Sequence, residues 1–212
     1  MVTAEQTSSP EQLAMLEWAA RMGAVNTVVV REDGKLEGRN TDAYGFAQNL
    51  LSAGYKPDKR PAVILGAGGA ARAGIAALLD MSVAEIRIVN RTAARAQLLA
   101  KTFGGAIKIF NWTDTNRAFE NAGLLVNATS LGMTGQQPLP VTLGALPGDA
   151  LVVDMVYAPL DTGLLRMARR RGNPVCDGLG MLLHQARPAF TAFFGIEPEV
   201  TEALRRIVLE RV

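Results

Sequence analysis

Arg39, Asn40, Thr41 and Asp42 occupy four consecutive positions in the stretch RNTDAYGF, residues 39–46. An amide, a hydroxyl and a carboxylate side by side can orient the hydroxyls of a polyol, or they can form a solvated turn. Asp42 opens an apolar-periodic run, so it also reads as a helix N-cap. A second chemical stretch is GAGGAA, residues 66–71, between the apolar run AVIL and a helical pattern. Gly66 there makes a tight turn and Gly68 lets a pyrophosphate approach the backbone. The last position of this fingerprint tolerates Ala, and the following helix start offers free N–H groups. A third stretch is NRTAAR, residues 90–95, closing the next apolar strand. An NAD site would place an acidic residue there for the ribose 2′-hydroxyl, but Glu85 lies at the other end of that strand. Thr92 can cap the helix, and Arg91 and Arg95 stand one turn apart. An arginine fork matches phosphate geometry, so the pair points to a 2′-phosphate and to NADP; the bland alternative is two solvated surface arginines.

These residues need elements to hold them. Residues 10–22 read as a helix, with Ser9 as N-cap candidate and Pro10 at its first position. Residues 25–31 and 35–39 flank Glu-Asp-Gly and read as a hairpin. Residues 42–53 read as a helix ending at Gly54. The polar, Pro-bearing stretch 55–61 is the best domain boundary. Beyond it, short apolar strands at 62–65, 86–89, 107–110, 124–127, 150–154 and 174–177 alternate with helices, which implies right-handed crossovers and a parallel sheet covered on both faces. The tail from Gly178 is helical. The expected fold class is α/β: a doubly wound parallel sheet of the Rossmann type over 55–177, with a smaller substrate domain made of 1–54 and completed by the C-terminal helices at 178–212.

The chain has 212 residues, 49% of them apolar and 20% charged, with net charge +2. That is the composition of an ordinary globular protein. Basic residues are scattered apart from Arg169–Arg171, so no nucleic-acid surface is expected. The single cysteine, Cys176, allows no internal disulfide and points to a reducing cytoplasm. No apolar run reaches the ~18 residues of a membrane span, and no secretory leader is legible. There is no cluster with metal-ligand spacing. His184, the one histidine, reads as a packed or solvated helix residue; Asp154 and Asp177 read as structural hydrogen-bond acceptors, and Cys176 as a core residue.

Seven motifs, GAVNT (23–27), NTDAYGF (40–46), GAGGAAR (66–72), NRT (90–92), NATS (127–130), DMVY (154–157) and DGLGML (177–182), stand in the order of the shikimate dehydrogenases, and the chain resembles that family from Gly23 onward. The resemblance implies NADP-dependent, reversible interconversion of shikimate and 3-dehydroshikimate in a cleft between two domains. Quinate remains open as substrate. By the same resemblance, Asn26, Asp42, Tyr157 and Gln185 contact the substrate, and Asp42 is the carboxylate of a catalytic Lys/Asp dyad. Gly66, Ala67, Gly68, Gly69 and Ala70 match the phosphate site, and Asn90, Arg91, Thr92 and Arg95 the ribose site. Thr129, Ser130, Met155, Gly178 and Met181 lie where the family approaches the nicotinamide.

One part of the pattern has no counterpart. The family's Asn-Val-Thr-x-Pro-x-Lys motif, which carries the dyad lysine, would fall near Met1–Thr3 and does not continue; the first lysine is Lys35. The hairpin at 25–39 is therefore expected to lack sheet neighbours and to expose an edge at Val28–Val30. A truncated gene product, a mis-started frame, and a diverged chain drawing strands from a second subunit, hence a homodimer, all remain open. So do two further readings: a catalytically impaired NADP-binding remnant, and a different reductase on this cofactor domain, such as a glutamyl-tRNA reductase.

Overall fold

The structure is a computed structural model that describes residues 10–211, with side chains from residue 13. The proposed N-cap Ser9 lies outside the described residues. The element order is α1 (Pro10–Met22), β1 (Thr27–Val30), β2 (Leu36–Arg39), α2 (Asp42–Ser52), β3 (Ala62–Leu65), α3 (Gly69–Asp80), β4 (Ile86–Asn90), α4 (Ala93–Phe103), β5 (Ile107–Asn111), α5 (Thr115–Phe119), β6 (Leu124–Asn127), β7 (Leu151–Asp154), α6 (Gly163–Arg170), β8 (Val175–Cys176), α7 (Gly178–Phe194) and α8 (Glu202–Leu209). Six strands form one parallel sheet in the order β5-β4-β3-β6-β7-β8. The chain starts at a central strand, builds outward to β5, then returns and builds the other way. That is the doubly wound α/β arrangement, whose topological switch point lies between β3 and β6.

Side chains alternate across a strand, so each buried run serves two cores. Ile64, Leu124, Val126, Leu151 and Val153 join α1, α2, α3 and α4 on one face. Val63, Leu65, Leu125 and Val152 join Phe119 of α5 and Leu164 and Leu165 of α6 on the other. Helix α1 belongs to the first core. Its Trp18 indole N–H donates to Asp80 at the end of α3, and Arg21 pairs with Asp80 at 3.4 Å and lies over the Phe103 ring. Arg72, in the first turn of α3, donates to the Met22 carbonyl at 2.6 Å.

The strands β1 and β2 form a separate antiparallel hairpin. Gly34, with φ of 78°, supplies the left-handed residue of its turn, which is the reason for Asp-Gly there. Helix α2 lies against α7, and the approach is close enough that side chains are excluded. A Cβ on Gly45 would fall 2.6 Å from the Gln185 Cβ, and one on Gly180 would overlap the Asn49 side chain. The Asn49 amide donates to the Asp177 carbonyl at 2.8 Å. No helix is long and apolar enough to cross a membrane among the described residues.

Candidate active site

A cleft of about 550 Å3 opens where the C-terminal ends of β3, β4, β5 and β6 diverge. It is lined by Gly66–Gly68, by Asn90, Arg91 and Arg95, and by residues 128–131, with Trp112 and Pro140 completing it. Gly66 has φ of 108°, and a Cβ there would sit 3.0 Å from the Ala128 carbonyl and the Thr129 methyl. Glycine is therefore required by conformation and by space. Gly68 is different: a Cβ on it would meet no protein atom within 4 Å. Protein packing leaves the backbone open on the side a pyrophosphate would use, and the first amides of α3 have no partner inside their own helix. Arg91 and Arg95 are exposed and form no ion pair among the described residues. Glu85 is occupied elsewhere, at 2.7 Å from Arg87 and 2.6 Å from Lys108. The observed donors and open glycine edge accommodate a dinucleotide bearing a 2′-phosphate.

Of the residues proposed for the cofactor, Gly66, Ala67, Gly68, Asn90, Arg91, Arg95, Thr129 and Ser130 line this cleft; Gly69, Ala70 and Thr92 do not. Thr92 occupies the N-cap of α4, but its hydroxyl makes no capping bond; instead its carbonyl accepts from the Asn90 amide at 2.8 Å. Met155 and Gly178 meet where β7 approaches α7, and Met181 lies one turn further along α7 with its carbonyl against Gly45. A Cβ on Gly178 would fall 2.5 Å from the Met155 carbonyl, and the Met155 Cε lies against Gly74. Trp112, Ala128, Leu131 and Pro140 were not anticipated. Trp112 directly follows β5, so the rule that ligands bind beyond the strand ends would have found it; Pro140 comes from a long connection with no periodic signal.

The rim at 39–42 is a folded hydrogen-bond network. Thr41 and Asn40 are buried, Asp42 is half-buried and Asn26 is exposed. The Asn26 amide donates to the Asp42 carboxylate at 2.9 Å and to the Thr41 hydroxyl at 3.1 Å, and its carbonyl oxygen accepts from the Thr41 N–H at 3.1 Å. Asn40 accepts from the Asp42 N–H at 2.9 Å and donates to the Ala24 carbonyl at 3.2 Å. This corrects the N-cap reading of Asp42. Thr41 holds that position, and its side chain makes no capping bond because Asn26 engages it. Asp42 is the first helical residue, and its carboxylate faces Asn26. Burial pushes the Asp42 carboxyl above the usual range, partly offset by the Asn26 hydrogen bond. Gln185 sits against Gly45, one turn along α2 from Asp42. Tyr157 is 39% exposed.

His184 packs beside Ser52, with its Nε2 3.3 Å from the hydroxyl. Burial and then Arg187 lower its pKa. Asp177 caps α7, accepting from the Leu179 N–H at 3.1 Å and pairing with Arg205 at 2.5 Å. Among the described residues no three acidic, histidine or cysteine side chains come together as a metal site.

The sheet order and the glycine-loop cleft define a dinucleotide-binding oxidoreductase domain of the Rossmann type. A family model described as shikimate/quinate 5-dehydrogenase matches residues 47–134. A shikimate dehydrogenase (NADP(+)) of Paramagnetospirillum magneticum is 54% identical over 193 residues, which are 90% of this chain and 70% of that protein. Among solved structures, a quinate dehydrogenase from Corynebacterium glutamicum in complex with NAD aligns with TM-score 0.84 and 34% identity, covering 92% of this chain and 70% of that one. A shikimate 5-dehydrogenase from Thermus thermophilus in complex with NADP(H) and shikimate aligns with TM-score 0.77 and 39% identity, at the same coverages of 92% and 70%. The chain belongs to the shikimate dehydrogenase family.

Proposed function

We propose that the chain is an NADP-dependent shikimate dehydrogenase-type oxidoreductase acting on the 3-dehydroshikimate/shikimate pair in the cytoplasm. The observation that carries the cofactor choice is the pair of exposed arginines, Arg91 and Arg95, which line the cleft beside Gly66–Gly68 and form no ion pair among the described residues. Solved relatives bind NAD in one case and NADP in another, so the fold alone does not choose. Bound NADP would supply the hydride acceptor. The chain's own residues orient the substrate: Asn26, Asp42, Tyr157 and Gln185 contact its hydroxyls and carboxylate. Thr129, Ser130, Met155, Gly178 and Met181 flank the nicotinamide, while residues 66–68 with the first amides of α3, at Gly69 and Ala70, hold the pyrophosphate; Asn90, Arg91 and Arg95 hold the ribose phosphate, and Thr92 fixes Asn90 through its carbonyl. Asp42, with its proton affinity raised by burial, accepts a hydrogen bond from the reacting or adjacent hydroxyl. The reading divides the chain into 1–54 with 178–212 on the substrate side and 55–177 on the cofactor side, which the tight α2–α7 packing supports. A homodimer through the β1 edge, which pairs only with β2 among the described residues, belongs to the same reading.

One observation favours a second reading, a cofactor-binding remnant with impaired turnover. Asp42 has no ion-pair partner among the described residues, and Lys35 is engaged by Asp33 at 3.2 Å in the hairpin turn. A carboxylate alone is a weak base for an alcohol; a lysine with lowered pKa would serve better. Growth of reduced-nicotinamide absorbance with NADP and shikimate separates the two. Turnover that Asp42→Asn abolishes establishes the first; a folded chain that binds NADP and does not turn over establishes the second.

A further inference from the structure

Asp154 ends β7 fully buried, with no ion-pair partner among the described residues. Three donors converge on its carboxylate: the Asn127 amide at 2.9 Å and the Val156 N–H at 3.0 Å on one oxygen, the Thr162 hydroxyl at 2.7 Å on the other. Asn127 stands opposite it in register at the end of β6 and is also fully buried. Its amide is fully used in turn. The carbonyl oxygen accepts from the Thr129 hydroxyl at 2.7 Å and the Thr129 N–H at 3.1 Å, and the nitrogen donates to the Leu131 carbonyl at 3.1 Å. The Leu131 N–H closes the loop by donating to the Thr129 hydroxyl at 3.1 Å. Thr129, Ser130 and Leu131 form a wall of the cleft, and the Thr129 methyl packs against Gly66.

We propose that Asp154 is a positioning residue: acting through Asn127 it sets the 128–131 wall that receives the dinucleotide, and through Val156 it sets the Met155–Tyr157 segment that follows β7. The physical reason is satisfiability. A carboxylate accepts from all three donors at once, whereas an asparagine either sets its N–H₂ against the Asn127 amide and the Val156 N–H or turns it to Thr162 and gives up the charged acceptor of that hydroxyl. Buried, that mismatch has no water to relieve it. Asn127 would then lose the anchor that fixes its orientation, and with it the Thr129 rotamer. Because β6 and β7 end side by side, one carboxylate ties the 128–131 wall to the segment that follows β7. The inference rests on the dinucleotide reading above.

The test is NADP affinity by quenching of Trp112, which lines the cleft, alongside thermal stability and the KM/kcat split. Asp154→Asn should weaken NADP by about five-fold or more, the scale of one lost hydrogen bond. Thr162→Val should weaken it in the same direction, with Thr162→Ser restoring it, since neither touches the cleft. Leu165→Ala, which loosens the same layer but keeps the backbone N–H that Thr162 accepts, should lower the melting temperature and leave affinity within two-fold. If Asp154→Asn and Thr162→Val lower stability but keep wild-type affinity, the residue is structural only and the proposal is overturned. Should Asp154→Asn not fold, the Val/Ser pair at 162 decides alone. Failure of the unmodified chain to bind NADP overturns the cofactor reading and this inference with it.

Discussion

The six-stranded sheet and the β1–β2 hairpin use similar residues and dispose of them in opposite ways. In β3, β6 and β7 the valines, leucines and isoleucines are buried on both faces, because helices cover both. In the hairpin the apolar face is outside: Val28, Val30 and Leu36 are 51%, 68% and 72% exposed. Thr27, Glu37 and Arg39 are turned inward instead, with Glu37 and Arg39 paired at 2.5 Å. An ordinary one-sided sheet is apolar inward and polar outward. A strand's apolarity announces a need for cover without saying which neighbour supplies it. The hairpin's inward face is spent on holding the rim: the Thr27 hydroxyl donates to Asn26 at 3.1 Å, and the Asn26 N–H donates to the Arg39 carbonyl at 3.0 Å.

Ile64→Ala, in the sheet, should cost about 2–5 kcal/mol, read from urea unfolding; a loss under ~1 kcal/mol would mean the sheet core is not close-packed. Next comes the buried carboxylate of that sheet. Burial raises Asp154 to about 6, against the opposing hydrogen bonds of Thr162, Val156 and Asn127. A carboxyl with a raised folded pKa binds its proton more tightly when folded. Its contribution, about 3 kcal/mol from the shift, is therefore present below pH ~4 and lost as pH rises through about 6. Asp154→Asn should remove this slope between pH 4 and 6, and an unchanged slope would assign it to other groups.

Replacing Arg91 and Arg95 together by Ala should weaken NADP by roughly ten-fold or more, with NAD little changed, as expected for lost charge-assisted bonds to a phosphate. Equal losses for both cofactors would count against the 2′-phosphate assignment. The smallest effect belongs to the hairpin. Val30→Ala should shift stability by no more than about 0.5 kcal/mol. A cost near that of Ile64→Ala, especially one that grows with protein concentration, would show that this face is covered in solution by a second copy.

The central strands were legible because short apolar runs such as AVIL, LLV and LVV between polar breaks leave little alternative, and GAGGAA after such a strand fixes a loop at a helix start. The paired arginines followed from position alone. Asp42 was harder: its residue type fitted a cap, but Thr41 took that place once Asn26, fifteen residues away, engaged its hydroxyl. Trp112 and Pro140 were missed because local pattern carries no record of which strand ends meet. Near neighbours in the chain set the α/β alternation, the glycine loop at a helix start and the lack of an acidic residue at the end of β4, so these are legible in the sequence alone. Only the tertiary structure decided the Asn26–Asp42 pairing, the Asp154–Asn127–Thr129 linkage and the outward turn of the hairpin valines. Those depend on hydrogen-bond directions and cover supplied by residues distant in sequence, where spacing carries no information.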